Sequence, residues 1–221
     1  MQLLALVVAK RILNEAHCVQ FEKVDRRRIS VILGVAGGTE LLGQMNSKIQ
    51  TPIWIKALRE SGLPEEKVRE ICNRIRDSYS PWNENTFPGL LGNVVAGRIA
   101  NRFDLGGTNC VVDAACASSL GALQMAINEL RSGQSDLVIS GGCDALNDVF
   151  MYMCFSKTTA LSLSNDCRPF SADADGTMLG EGIGMLALRR LSDAERDGDA
   201  IYAVIRGIGS SSDGKAKSVY A

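Results

Sequence analysis

One histidine, His17, is all that the 221 residues contain. A catalytic or metal-binding histidine needs partners, and no second histidine exists, so His17 reads as a partly exposed residue of a helix. Cysteine pairs of the C-x-x-C type are absent too. The seven cysteines (18, 72, 110, 116, 143, 154 and 167) are odd in number and scattered. That argues against a disulfide framework or a zinc site, and for reduced thiols in a cytoplasmic compartment. An excess of one charge sign is also missing. Lys and Arg number 24 against 25 Asp and Glu, which removes any broad electrostatic case for nucleic acid or anionic membrane as partner. The only basic cluster, Asp25-Arg26-Arg27-Arg28, reads as a solvated loop before a strand. No apolar run approaches the roughly 18 residues of a membrane span. The opening "MQLLALVVAKRIL" lacks the basic start and small-residue cleavage site of a signal sequence, and fits an amphipathic helix. Internal repeats and low-complexity segments are absent.

What remains is ordinary globular composition, 46% hydrophobic and 22% charged, enough for one large domain or two small ones. Residues 2–17 carry a helical pattern. "RISVILGVAGG" (28–38) is a Val/Ile-rich run ended by glycines, which suits a strand buried on both faces. Two helical patterns fill 52–79, the first closed by Gly62 and the second opened by Pro64 with acids in its first turn. Together with the loop "SPWNENTFPG" (80–89) they form a surface-covering helical insertion over 52–89. From residue 90 a helix with a bare, small-residue surface (Gly92, Ala96, Gly97, Ala100) leads into the strand "TNCVVDAAC". The next helix, "ASSLGALQMAINELRSG", places Leu120, Leu123, Ile127 and Leu130 on one apolar stripe and Gly133 as its C-terminal cap. "SDLVISGG", "GIGMLALRRL" and "AIYAVIRGIG" read as further strands, the last two separated by the polar helical turn "SDAERDGD". Strands alternating with helices mean an α/β layered fold around a mostly parallel sheet.

Cys116 sits where the strand "TNCVVDAAC" stops and a helix starts. A thiol at such an elbow faces the unpaired N–H groups and positive dipole end of the helix, which favour thiolate and can stabilise an oxyanion. A cramped turn demands small neighbours, and Ala114, Ala115, Ala117 and Ser118 meet that demand. Small residues around a buried cysteine making a close helix–strand contact would look the same, so the pattern alone leaves both readings open. Rival motifs nearby are weaker. Ser119 in "ASSLG" lacks the first glycine of a serine elbow and has no histidine downstream. Gly182-Ile-Gly184-Met-Leu-Ala187 opens an apolar strand, not the helix a dinucleotide site requires. "SADADGTMLGEG" has Ser171 and Gly182 where a calcium loop needs acids.

Taken in order and spacing, "VDAACASSL", "SGGCDAL", "FMYMCFSKTTALS" and "CRPFSADADGTMLGEGIGMLALRRLSDAERDGD" resemble the β-ketoacyl synthase (ketosynthase) family. The resemblance is strong over 90–221 and moderate over 1–50. In its details, "FMYMCFSKT" and "ERDGDAIYAVIRGIGSSSDGKAKSVYA", it is closest to the ketosynthase domains of polyunsaturated fatty acid synthases and iterative polyketide synthases. It implies the N-terminal half of a thiolase-like fold, a mixed five-stranded sheet layered with helices, and a homodimer joined through the strand before Cys116. It also implies decarboxylative Claisen condensation. Cys116 would be the nucleophile, taking an acyl chain as a thioester from the phosphopantetheine arm of an acyl carrier protein, with its own N–H as half of the oxyanion hole. Phe155 would line the acyl pocket, and the 176–184 stretch would pack close to the site in a structural role. No metal is implied, and no cofactor is bound by this segment itself.

The family's two catalytic histidines and its lysine have no counterpart here. Its first strand, expected at the centre of the sheet, would precede Met1, so 1–221 reads as a partial ketosynthase domain that folds poorly alone. Two alternatives stand beside this. A coenzyme-A-dependent thiolase-fold acyltransferase is disfavoured by "RPFSADADGTMLGEG", which belongs to the carrier-protein-dependent branch. A non-catalytic partner of the chain-length-factor kind lacks the cysteine that is present here.

Overall fold

Residues 1–14, 21–36, 39–145, 147–212 and 214–215 are described by the computed structural model. Along the chain the elements are α1 (Gln2–Asn14), β1 (Ile29–Gly34), α2 (Thr39–Ile49), α3 (Thr51–Glu60), α4 (Glu65–Asp77), α5 (Thr86–Leu90), α6 (Val94–Phe103), β2 (Asn109–Val112), α7 (Ser118–Ser132), β3 (Leu137–Asp144), α8 (Val149–Lys157), β4 (Gly182–Leu188) and α9 (Leu191–Asp197). His17 and Cys18, and with them the end of the expected 2–17 helix, lie outside the described residues.

The β1 strand organises the rest. Every one of its six positions is buried, as expected of a Val/Ile-rich strand covered on both sides. Ile29, Val31 and Leu33 join one apolar cluster with Ala5 and Ala9 of α1 and Val95, Ala96, Ile99 and Ala100 of α6. Ile32 faces the other way, against Ala122, Ala126 and Leu130 of α7. Each fully buried aliphatic side chain of this kind contributes about 1.5–3 kcal/mol. The result is three layers: α1 and α6, the sheet, and α7.

Among the described residues, four strands pair in the order β2-β1-β3-β4. β2 and β3 flank β1 in parallel, and β4 runs antiparallel to β3, so the sheet is mixed. Two expectations are corrected here. The fifth strand is not formed: "AIYAVIRGIG" takes up no strand, and Ile201, Val204 and Ile205 are exposed. An alternating sequence supplies the pleat but not a neighbour to pair with. Nor does the sheet have a central gap, since β1 is in direct register with both β2 and β3. The open positions are the outer edges, along β2 and β4.

Elsewhere the helices follow their end signals. Gly133 (φ 72°) and Gly62 (φ 79°) take the left-handed conformation at the C-terminal ends of α7 and α3, where a side chain would be strained. Helix α4 starts after Pro64 with Glu65 and Glu66 in its first turn. Helix α2 was not anticipated, and part of the expected 80–89 loop is the short α5. The apolar stripe of α7 holds only in part, with Leu130 buried and Leu123 and Ile127 half-buried. Its buried residues are Ser118, Ala122, Ala126 and Leu130, whereas Leu120 is 65% exposed. At the start of α7, helix and sheet are too close for large side chains. A Cβ on Gly34 would lie 2.4 Å from the backbone of Ser118 and Ser119, and one on Gly142 would lie 2.9 Å from the Ser119 side chain.

The basic run is more than a solvated loop. The Asp25 carboxylate caps the turn Arg26–Arg28 by accepting from the Arg27 N–H at 3.0 Å. Arg28 donates to Asp136 at 2.5 Å and to the Gly133 carbonyl at 2.6 Å, while Arg190 binds Asp136 from the other side. These arginines, Arg28 foremost, hold the Asp136 carboxyl down at about 2. They fasten the α7–β3 turn at the end of the sheet remote from Cys116.

Candidate active site

Because β1, β2 and β3 are parallel, their C-terminal ends share one edge, where Gly34, Val112 and Gly142 stand in register. Parallel sheets bind and react at this edge. Both residues of the expected site belong to segments that leave it: Cys116 follows β2, and Phe155 lies on α8, the helix that follows β3.

The connection from β2 to α7 is tightly bonded. Asp113 Oδ1 accepts from the Ala115 N–H at 3.1 Å. Ser118 Oγ accepts from the Ala114 N–H at 2.9 Å and donates to the Ala115 carbonyl at 2.6 Å. The Ala117 N–H donates to the Ala114 carbonyl at 3.0 Å. Ala115 is held at φ +49°, a conformation that costs a residue with a Cβ about 1–3 kcal/mol. Hydrogen bonds worth about 0.5–1.5 kcal/mol each offset that cost. Cys116 then occupies the middle of a single turn, Ala115–Ala117, which runs straight into α7.

The thiol is exposed, which removes the reading of Cys116 as a buried packing residue. Helix α7 has no acid in its first turn and no side-chain cap at its start. The Ser118 N–H donates to the Ala115 carbonyl, and the positive end of the helix is left for a thiolate or an oxyanion. The other described cysteines are placed differently. Cys72 and Cys143 are buried, and burial pushes the Cys143 thiol up to about 11. Burial, with the Glu129 charge, also raises Cys110. Cys154 and Cys167 are exposed, but Cys154 sits in the last turn of α8, at the negative end of a dipole. Cys167 lies in a loop, 4.0 Å from Thr177 Oγ1.

Phe155 is half-buried on α8 on the same face as Met151. A cavity of about 410 Å³ lies against a different face of that helix, lined by Val149, Tyr152, Met153, Ser156, Lys157 and Leu161. The glycine-rich stretch that follows is fastened by hydrogen bonds. Asp175 accepts from Ser162 Oγ at 2.7 Å, Ser164 Oγ at 3.1 Å and the Ser164 N–H at 2.9 Å. These bonds, that from Ser162 first, lower its carboxyl to about 2. Gly176 (φ 152°) passes so near the chain that a Cβ would lie 2.5 Å from the Ser162 nitrogen. Glu181 accepts from the Asn147 N–H at 2.6 Å, tying this loop to the β3–α8 connection. Neither the left-handed Ala115 nor the bonds of Ser118 could be read in advance, since an alanine carries no sequence signal for positive φ.

The mixed sheet layered with helices belongs to the thiolase-like fold class. Residues 1–194 match the family described as Beta-ketoacyl synthase, N-terminal domain, and this chain belongs to that family. Among its relatives, one of the subunits of the polyunsaturated fatty acid synthase of Thraustochytrium sp. is 42% identical over 219 residues, covering 99% of this chain and 8% of that protein. Polyketide synthase GfsB of Streptomyces halstedii is 38% identical over 153 residues, covering 69% of this chain and 3% of that protein. The chain thus spans a small part of the proteins it matches. Of solved structures, a β-ketoacyl synthase from Burkholderia phymatum aligns with a TM-score of 0.63 at 21% identity, over 90% of this chain and 44% of that one. An oxazolomycin ketosynthase domain of Streptomyces albus aligns at 0.62 and 26% identity, over 89% and 29%. Among the described residues, no helix is long and apolar enough to cross a membrane.

Proposed function

We propose that this chain is the acyl-accepting part of a ketosynthase domain, in which Cys116 takes an acyl chain from an acyl carrier protein as a thioester. The observation that carries this is the exposed thiol at the uncapped start of a 15-residue helix. The Cys116 thiolate attacks the thioester carbonyl carbon. N–H groups at the start of α7 stabilise the oxyanion that forms. Collapse breaks the bond to the phosphopantetheine sulfur, which leaves and takes up a proton, and the acyl group stays on Cys116. The arm is narrow and needs an open approach, which the small exposed residues Ala114, Ala115 and Ala117 provide. Phe155 on α8 is proposed as part of the wall that the acyl chain meets. Condensation with a malonyl unit further requires groups that polarise the malonyl thioester, so the function proposed for these 221 residues is the acylation half-reaction. The six described cysteines are free thiols, which supports a reducing, cytoplasmic setting.

β2 is an edge strand, and the complete domain is proposed to dimerise by pairing this edge across a two-fold axis. Sedimentation reads that directly, and a domain that stays monomeric at high concentration removes it. The test of the acylation itself is transfer of a radiolabelled acyl group from acyl carrier protein to the chain, followed by peptide mapping. Label is expected on the peptide holding Cys116 and absent in Cys116→Ala. Label on Cys154 or Cys167, or persisting in Cys116→Ala, defeats the assignment.

A further inference from the structure

We infer that Ser118 is a positioning residue, whose hydroxyl holds Ala115 in the left-handed conformation and so fixes the Cys116 thiol at the start of α7. The inference rests on the reading of Cys116 as acyl acceptor, and it adds a group that the motif does not assign. Ser118 is buried, one turn inside the elbow, and its Oγ is used in both directions. It accepts from the Ala114 N–H at 2.9 Å and donates to the Ala115 carbonyl at 2.6 Å. These two backbone groups bracket the one residue of the elbow whose φ is positive. An alanine does not stay at +49° unaided, because its Cβ crowds the following carbonyl. Asp113 helps from the other side through its bond to the Ala115 N–H, but Asp113 is exposed and its bond competes with water. The buried Ser118 does not.

With the hydroxyl gone, Ala115 is free to relax toward negative φ. The peptide carrying Cys116 turns with it, away from the N–H groups of α7. The thiol then loses its place at the start of the helix, where an oxyanion formed beside it would be stabilised. Nothing in this chain of effects needs Ser118 to touch the sulfur or the substrate.

Glycine at 115 separates this role from ordinary packing. A glycine occupies positive φ at no steric cost, so Ala115→Gly removes the reason for the clamp. The experiment compares iodoacetamide alkylation of Cys116, as a function of pH, in the complete ketosynthase domain that contains this chain and in its Ser118→Ala, Ala115→Gly and double variants. Cys72 and Cys143 in the same chain report whether the core stays closed. In Ser118→Ala we expect alkylation at neutral pH to slow about three- to tenfold. In the Ala115→Gly background the same substitution should change the rate by no more than about twofold. An unchanged rate and pH profile in Ser118→Ala, with Cys72 and Cys143 protected, overturns the inference. So does a double variant as slow as Ser118→Ala. If Ser118→Ala exposes the two buried thiols, the double variant decides: renewed protection supports the clamp, and continued exposure overturns it. Failure of the carrier-protein acylation defeats the function reading whatever these rates are, whereas these rates bear on Ser118 alone.

Discussion

Two connections leave the same edge of the sheet, and they are built in opposite ways. From β2 the chain turns through a strained, doubly bonded elbow into α7, whose small residues sit directly on β1 and β3. From β3 it passes through an ordinary cap, with Asp148 Oδ1 accepting from the Met151 N–H at 2.8 Å, into α8. Helix α8 has no buried residue, and Val149, Phe150 and Met153 on it are exposed. The first arrangement leaves Cys116 one place to be. The second presents an apolar helix that stands off the sheet, beside a cavity. A nucleophile must be held to a fraction of an ångström, while a wall that meets acyl chains of different length gains from compliance.

The comparison breaks most severely at Gly34. Gly34→Ala places a methyl against the backbone of Ser118 and Ser119, which has no side chain to move aside. A loss of about 1–3 kcal/mol or more is expected from overpacking, together with altered Cys116 alkylation, because α7 must lift. Thermal unfolding measures it. Gly43→Ala, where nothing lies within 4 Å, is the control, and in α2 it should stabilise by about 1 kcal/mol. Equal behaviour of the two variants would show that α7 is not pinned as described.

A smaller effect is expected on the compliant side. Phe155 is half-buried, so Phe155→Ala should cost less than the roughly 3–5 kcal/mol of a fully buried phenylalanine. Cys116 alkylation should stay unchanged, while the preference among short and long acyl carrier substrates shifts in the acylation assay. A folded variant with the same length profile removes Phe155 from the wall.

Much of this was legible from residue patterns. β1 announced itself because a strand buried on both faces is almost continuously apolar, and its one polar side chain, Ser30, is hydrogen-bonded to Ser135 and the Thr108 N–H. Gly133 and Gly62 marked helix ends because glycine takes positive φ without steric cost, and Pro64 because its fixed φ and missing N–H suit a helix start. Cys116 stood out by its small neighbours and its place between strand and helix. The misreadings share one cause. The size of its leucines suggests which face of helix α7 is buried, but Gly34 and Gly142 let Ser118 and Ser119 come close to the sheet, and that choice depends on what faces the helix. The segment 200–209 has the alternation of a strand, yet pairing is decided by a neighbour that the alternation does not specify.

The sequence by itself therefore determined the layered α/β class, the family, and the candidate nucleophile, since each rests on local spacing and residue type. Only the tertiary structure decided that Cys116 is exposed while Cys72 and Cys143 are not, that Ala115 is left-handed, and that the buried Ser118 holds it there. Exposure, positive φ and a hydrogen bond across an elbow depend on which groups packing brings together, and packing is a property of the whole chain.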